Sequence, residues 1–80
     1  MTRLLYFAWV REAVGMAQEN VALPSGVATV GDLVDWLAQR HQVLADRSRL
    51  RVAVDQVMAD RSTEIAGARE VAFFPPVTGG

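Results

Sequence analysis

The residues best suited to chemistry are the last eight of the 80, FFPPVTGG, Phe73 to Gly80. Pro75 and Pro76 lack backbone N–H groups and fix φ, so a strand running through Phe73 and Phe74 must stop there. The chain beyond them is held extended. From Pro75 to Gly80 the reach is roughly 20 Å at about 3.3 Å per residue, enough to enter another protein's cleft. Gly79 and Gly80 carry no Cβ, so they can thread a narrow channel and leave the Gly80 carboxylate open to attack or activation. A terminal Gly-Gly can also be a frayed end. The stiff pair of prolines ahead of it favours a threaded arm.

Elsewhere the chain offers little chemistry. It has no cysteine, which excludes disulfides, thiolate metal sites and cysteine nucleophiles. The single His41 cannot build a metal site alone, and no phosphate-loop or HExxH pattern occurs. Ser25, Ser48 and Ser62 have only His41 as a candidate base, and it falls on an apolar helix stripe, where a satisfied, partly buried histidine is expected. Asp32 and Asp35 belong to a solvated face.

Positioning the arm falls to a small α+β body. Arg3–Trp9 (RLLYFAW) predicts a strand, with Leu5, Phe7 and Trp9 on one face and Leu4, Tyr6 and Ala8 on the other. A helical turn over Val10–Gly15 ends at the glycine, and Glu19–Leu23 predicts a second strand. Thr29 and Asp32 form a capping-box pattern opening a helix over TVGDLVDWLAQRH. Val30, Leu33, Val34, Leu37, Ala38 and His41 make its apolar stripe, with the Trp36 ring folded over the core edge. Residues 42–50 form a polar connection with apolar anchors. Arg51–Asp55 alternates as a half-buried strand, Gln56–Asp60 is a hairpin partner, and Thr63–Ala66 is a turn before Gly67. Glu70–Phe74 is the last strand, with one phenylalanine in the core beside Val71. The other is expected on the second face near Leu4, Tyr6 or Ala8.

A helix between strand pairs, with strands at both ends, predicts a β-grasp arrangement. The expected organisation is one domain over 1–74 and an extended tail over 75–80. The hydrophobic share of 51% supports a packed core at this length. The net charge of −1 and the absence of any basic block exclude an electrostatic footprint for nucleic acid. No signal peptide or membrane span is read, so a cytoplasmic protein is expected. All eight Lys+Arg residues are arginines, leaving the Met1 amino group as the only primary amine.

EVAFFPPVTGG, together with RLLYFAWVREAVG, TVGDLVDWL and RVAVDQVMAD, resembles the small, sulfur-carrying subunit of molybdopterin synthase (the MoaD family) over nearly the whole chain. Two departures are Asp55, where the family commonly has Asn, and Ala68-Arg69, where an acidic turn is usual. The resemblance implies a ubiquitin-like β-grasp whose Gly80 carboxylate is adenylated and then converted to a thiocarboxylate. Sulfur then passes to cyclic pyranopterin monophosphate in molybdenum cofactor biosynthesis. It implies Gly80 as the covalent carrier, Gly79 as the residue giving access, and Pro75, Pro76, Val77 and Thr78 as the inserted arm. Phe74 is the expected apolar contact at the arm's root, and Arg11 is either an added polar contact or a member of a surface ion pair. The implied partners are a large synthase subunit holding the catalytic side chains in a heterotetramer, an adenylating enzyme of the ubiquitin-activating kind, and a sulfur donor protein. No cofactor is expected on the chain; ATP and Mg serve the activating enzyme. Alternatives are a thiamine-pathway sulfur carrier, a ubiquitin-like modifier and a pure β-grasp interaction module.

Overall fold

The computed structural model describes residues 1–45 and 50–76. In chain order they form β1 (Thr2–Tyr6), α1 (Ala8–Val14), β2 (Gln18–Val21), α2 (Val30–Ala38), a 3-10 turn (Gln42–Ala45), β3 (Arg51–Val54), β4 (Val57–Ala59) and β5 (Glu70–Phe74). The five strands make one mixed sheet in the order β2-β1-β5-β3-β4. Only the β1–β5 pair is parallel, as the β-grasp requires. The last strand is therefore central, not marginal.

The predicted capping box begins α2. Thr29 is extended, its Oγ1 accepts from the Asp32 N–H at 3.2 Å, and Asp32 Oδ2 accepts from the Thr29 N–H at 3.2 Å. Two further N–H groups of the first turn, on Val30 and Gly31, donate to the carbonyls of Thr63 and Arg61. The loop before β5 thus closes the helix start. Val30, Leu33, Val34 and Leu37 are buried as the stripe predicts. The helix ends at Ala38, short of the expected His41, though the His41 N–H still donates to Leu37 C=O at 2.9 Å.

That helix covers one face of the sheet, where Leu4, Tyr6, Val52, Val71 and Phe73 are buried. Each such side chain contributes about 1.5–3 kcal/mol of transfer free energy, reduced by the entropy of ordering it. Leu44, Leu50 and Ile65 close the core margins. Ile65 is fully buried although its segment reads as a surface turn; the Ile65 N–H donates to Ala28 C=O and draws the segment inward.

Three expectations need correction. The strand predicted over Arg3–Trp9 stops at Tyr6, because Ala8 takes a left-handed φ of +53° and opens α1. Leu4 to Trp9 is continuously apolar, so no break in alternation marks the change. What α1 gains is burial of Val10 and Val14, one turn apart, and it ends at Gly15 with φ +91° as foreseen. The second strand begins and ends earlier than Glu19–Leu23, at Gln18 and Val21. Finally, Leu4 and Tyr6 share the core face with Phe73, so they are not the neighbours of Phe74.

Candidate functional site at the root of the C-terminal arm

β5 alternates strictly: Val71 and Phe73 are fully buried while Glu70, Ala72 and Phe74 are half-exposed. The parallel register sets Arg3 beside Glu70 and Leu5 beside Ala72. The antiparallel register with β3 sets Ala53 against Ala72 and Arg51 against Phe74. Paired positions point to the same face, so Arg3, Glu70, Leu5, Ala72, Ala53 and Phe74 share the side away from α2. Its far end is polar, with Arg3 Nη2 3.1 Å from Glu70 Oε1. Toward the arm it becomes small and apolar, then aromatic.

Phe7 completes that end. Its backbone is extended and its N–H donates to Phe73 C=O at 3.0 Å, which continues the parallel ladder one step past Tyr6. Pleating turns its side chain to the face that Phe74 occupies, and 48% of it is exposed. Phe7 and Phe74 therefore flank the point where the chain leaves the sheet. Sequence reasoning named Phe74 and missed Phe7. Its face, shared with Leu5, was legible; its place beside the arm depends on parallel pairing between chain ends, which no local pattern encodes. Met58, paired with Ala53 and 61% exposed, extends the apolar surface across β4.

Pro75 and Pro76 follow as half-buried residues at the sheet's edge of travel. Val77, Thr78, Gly79 and Gly80 lie outside the described residues. Arg11 sits one turn into α1 from Phe7, to whose carbonyl its backbone N–H donates at 3.4 Å, and it is exposed and without an ion pair among the described residues. The structure thus brings Phe74, Pro75 and Pro76 together and adds Phe7.

The other polar clusters among the described residues are structural. Among the described residues no group of three His, Asp or Glu could hold a metal ion. Ser62 Oγ donates to Asp60 Oδ1 at 2.7 Å inside a local turn, and the hydrogen bonds from Ser62 and Thr63 hold the Asp60 carboxyl below its ordinary range. Tyr6 donates through its hydroxyl to Glu19 Oε2 at 2.6 Å; burial first, and that carboxylate second, push its ionisation far above the usual phenol. These are structural polar contacts. No helix among the described residues is long and apolar enough to cross a membrane.

Known proteins agree with this geometry. A sequence model of the ThiS family matches residues 4–80. A protein of Mycobacterium tuberculosis named molybdopterin synthase sulfur carrier subunit is 43% identical over 79 residues, covering 96% of this chain and 94% of its own. The Escherichia coli protein of the same name is 37% identical, with both chains fully covered. Among solved structures, SAMP1 from Haloferax volcanii superposes with a TM-score of 0.75 at 31% identity, covering 99% of this chain and 98% of that one. A putative molybdopterin converting factor, subunit 1, from Pyrococcus furiosus gives 0.76 at 25% identity, covering 95% and 97%. With a match over almost its full length and the same ubiquitin-like β-grasp, this chain belongs to the ThiS family.

Proposed function

We propose that the chain is the sulfur carrier subunit of a molybdopterin synthase. The observation that carries this reading is the position of β5. The arm springs from the middle of the sheet, beside the exposed ring of Phe7 and the half-buried ring of Phe74, so a partner gripping the open face receives the terminus at a fixed place. Near-full-length identity to relatives named for that role supports it.

The chemistry asked of the tail is acyl activation. A carboxylate resists substitution until one of its oxygens becomes a good leaving group. In the proposed cycle the Gly80 carboxylate attacks the α-phosphorus of ATP within an adenylating enzyme, and pyrophosphate departs. A persulfide of the donor protein then attacks the acyl carbon and expels AMP. Reduction of the resulting acyl disulfide by a thiol leaves a thiocarboxylate on Gly80. In the synthase the thiocarboxylate sulfur bonds to the pyranopterin, and water then cleaves the resulting thioester, leaving the sulfur on the pterin and returning Gly80 as a carboxylate. The body contributes docking through Phe7, Phe74 and Arg11, and the arm of Pro75, Pro76, Val77 and Thr78 contributes reach. Gly79 leaves the carboxylate accessible. Reacting side chains other than the tail belong to the large subunit, as do any requirements for ATP and Mg to the activating enzyme. A heterotetramer and a cytoplasmic setting complete the reading.

ATP–pyrophosphate exchange by the adenylating enzyme tests it. The wild-type chain is expected to stimulate exchange, and Gly80→Ala to lose most of that stimulation while retaining its fold. Equal stimulation by both would reduce the tail to a docking arm. The likeness to SAMP1, a small archaeal modifier protein by the name of a second solved structure, favours one other reading. A modifier would be recovered joined through Gly80 to lysines of other proteins, whereas a carrier would not.

A further inference from the structure

The chain has three methionines, in three different settings. Met1 lies ahead of β1 and Met16 in the turn between α1 and β2, 88% and 42% exposed. Met58 is 61% exposed and belongs to the sheet itself. It pairs with Ala53, Ala53 pairs with Ala72, and Ala72 pairs with Leu5. These four residues make one row across the face turned away from α2. Phe74 and Phe7 occupy the next row on that face, two residues further along their strands toward the arm.

The row is uneven in height. Ala53 and Ala72 each raise a single methyl group, whereas Leu5 stands at one side and the Met58 thioether at the other. β4 is the last strand of the sheet, so no further strand walls Met58 on its outer side. Strands are about 4.8 Å apart, which puts Met58 about 10 Å from Ala72 across the alanine floor. The open face is thus a shallow floor with alkyl sides and an aromatic end, and Met58 supplies its one sulfur.

From this placement we infer that Met58 is an oxidation site whose modification uncouples the chain from its partner. The inference rests on the reading of this face as the docking surface. Hydrogen peroxide delivers one oxygen to the thioether sulfur: an S–O bond forms, the O–O bond breaks and water leaves. The sulfur is oxidised by two electrons to the sulfoxide, and the peroxide is reduced. The exposure of Met58 gives the oxidant access from solvent. In the reduced state the thioether is an adaptable apolar contact for a partner's aliphatic or aromatic side chain. The sulfoxide is a polar acceptor, and the side chains of Ala53, Ala72, Leu5, Phe7 and Phe74 offer it no hydrogen-bond donor. A partner surface complementary to the reduced face buries that oxygen unpaired, which opposes docking. The fold is spared, because the buried cluster contains no methionine.

Mild hydrogen peroxide treatment of the full chain tests this, with capture by the large synthase subunit measured before and after. Peptide mapping should place an added oxygen on Met58. Capture by the oxidised wild type should fall about tenfold or more from its untreated level. A methionine sulfoxide reductase supplied with a thiol should restore it, and the thermal midpoint should not move on oxidation. In Met58→Leu the same treatment should leave capture at that variant's own untreated level, although Met1 and Met16 are still oxidised. Undiminished capture by wild type with Met58 fully converted would overturn the inference. So would an equal proportional loss in Met58→Leu, or a loss that accompanies unfolding. Untreated wild type that captures no subunit at all overturns the docking reading itself, an outcome visible before any peroxide is added.

Discussion

The ring of Tyr6 stacks on that of Phe73, with centroids 5.7 Å apart and planes 22° from parallel. The next residue on each strand, Phe7 and Phe74, turns the opposite way. Two adjacent aromatics on each of two parallel strands thus split their work, one pair inside the core and one at the root of the arm.

Substitution should separate those roles. Phe73→Ala removes a fully buried ring and is expected to cost about 3–5 kcal/mol, read by chemical denaturation. Phe74→Ala and Phe7→Ala should each cost no more than about 1 kcal/mol, because both rings are partly in water. Their loss should appear in capture of the large synthase subunit or the adenylating enzyme, by tenfold or more for the pair changed together. Wild-type capture by the double variant would place the docking surface elsewhere.

The Tyr6 hydroxyl gives the fold an alkaline limit. Its folded-state ionisation is raised above the ordinary phenol value of 10.0, by burial and then by Glu19. The stabilisation is fully present below that value, and it is lost as pH rises past 10 because the unfolded chain ionises first. Thermal midpoints between pH 8 and pH 11 should fall more steeply for wild type than for Tyr6→Phe. Parallel curves would mean that the phenol ionises freely in the folded protein.

Asp32 sets an acid dependence of the opposite sign. The backbone N–H groups of Ala28 and Thr29 hold its carboxyl below the ordinary range, so its contribution is present above that range and lost as pH falls through the folded value. Asp32→Ala should therefore lower the thermal midpoint at pH 7, and the gap from wild type should close toward pH 3. Thr29→Ala removes the other half of the box and should cost about 1 kcal/mol.

Asp55 ties the β3–β4 turn to the start of β5. Its Oδ1 accepts from the N–H groups of both Arg69 and Glu70 at 3.0 Å, and its own N–H donates to Glu70 C=O at 2.9 Å. It also takes φ +48° in the β3–β4 turn, a conformation that Asn and Asp tolerate best. Asp55→Asn should preserve stability to within about 0.5 kcal/mol, whereas Asp55→Ala should cost about 1–2 kcal/mol in denaturant unfolding. A loss in the Asn variant equal to that in Ala would show that the charge, not the acceptor oxygen, holds the turn.

These residues show what the sequence made legible. The capping residues of α2 and its stripe are local, with a period that survives tertiary packing, and the Pro75-Pro76 stop ends β5 where expected. The start of α1 was hidden by an unbroken apolar run from Leu4 to Trp9, and the burial of Ile65 by its polar flanks. Placing Phe74 on the open face followed from pleating alone. Naming its neighbours required strand order, and the pairing of β1 with β5 joins residues more than sixty positions apart. Gly79 and Gly80 are read from residue type and resemblance alone, and Val77–Gly80 lie outside the described residues.

The most direct test of the carrier reading is the intact mass of the chain after incubation with its adenylating enzyme, ATP and a sulfur donor. The expected product is heavier by the exchange of one oxygen for one sulfur, and fragmentation should place that exchange on Gly80. A chain that keeps its original mass throughout, while its β-grasp body is demonstrably folded, would contradict the proposal.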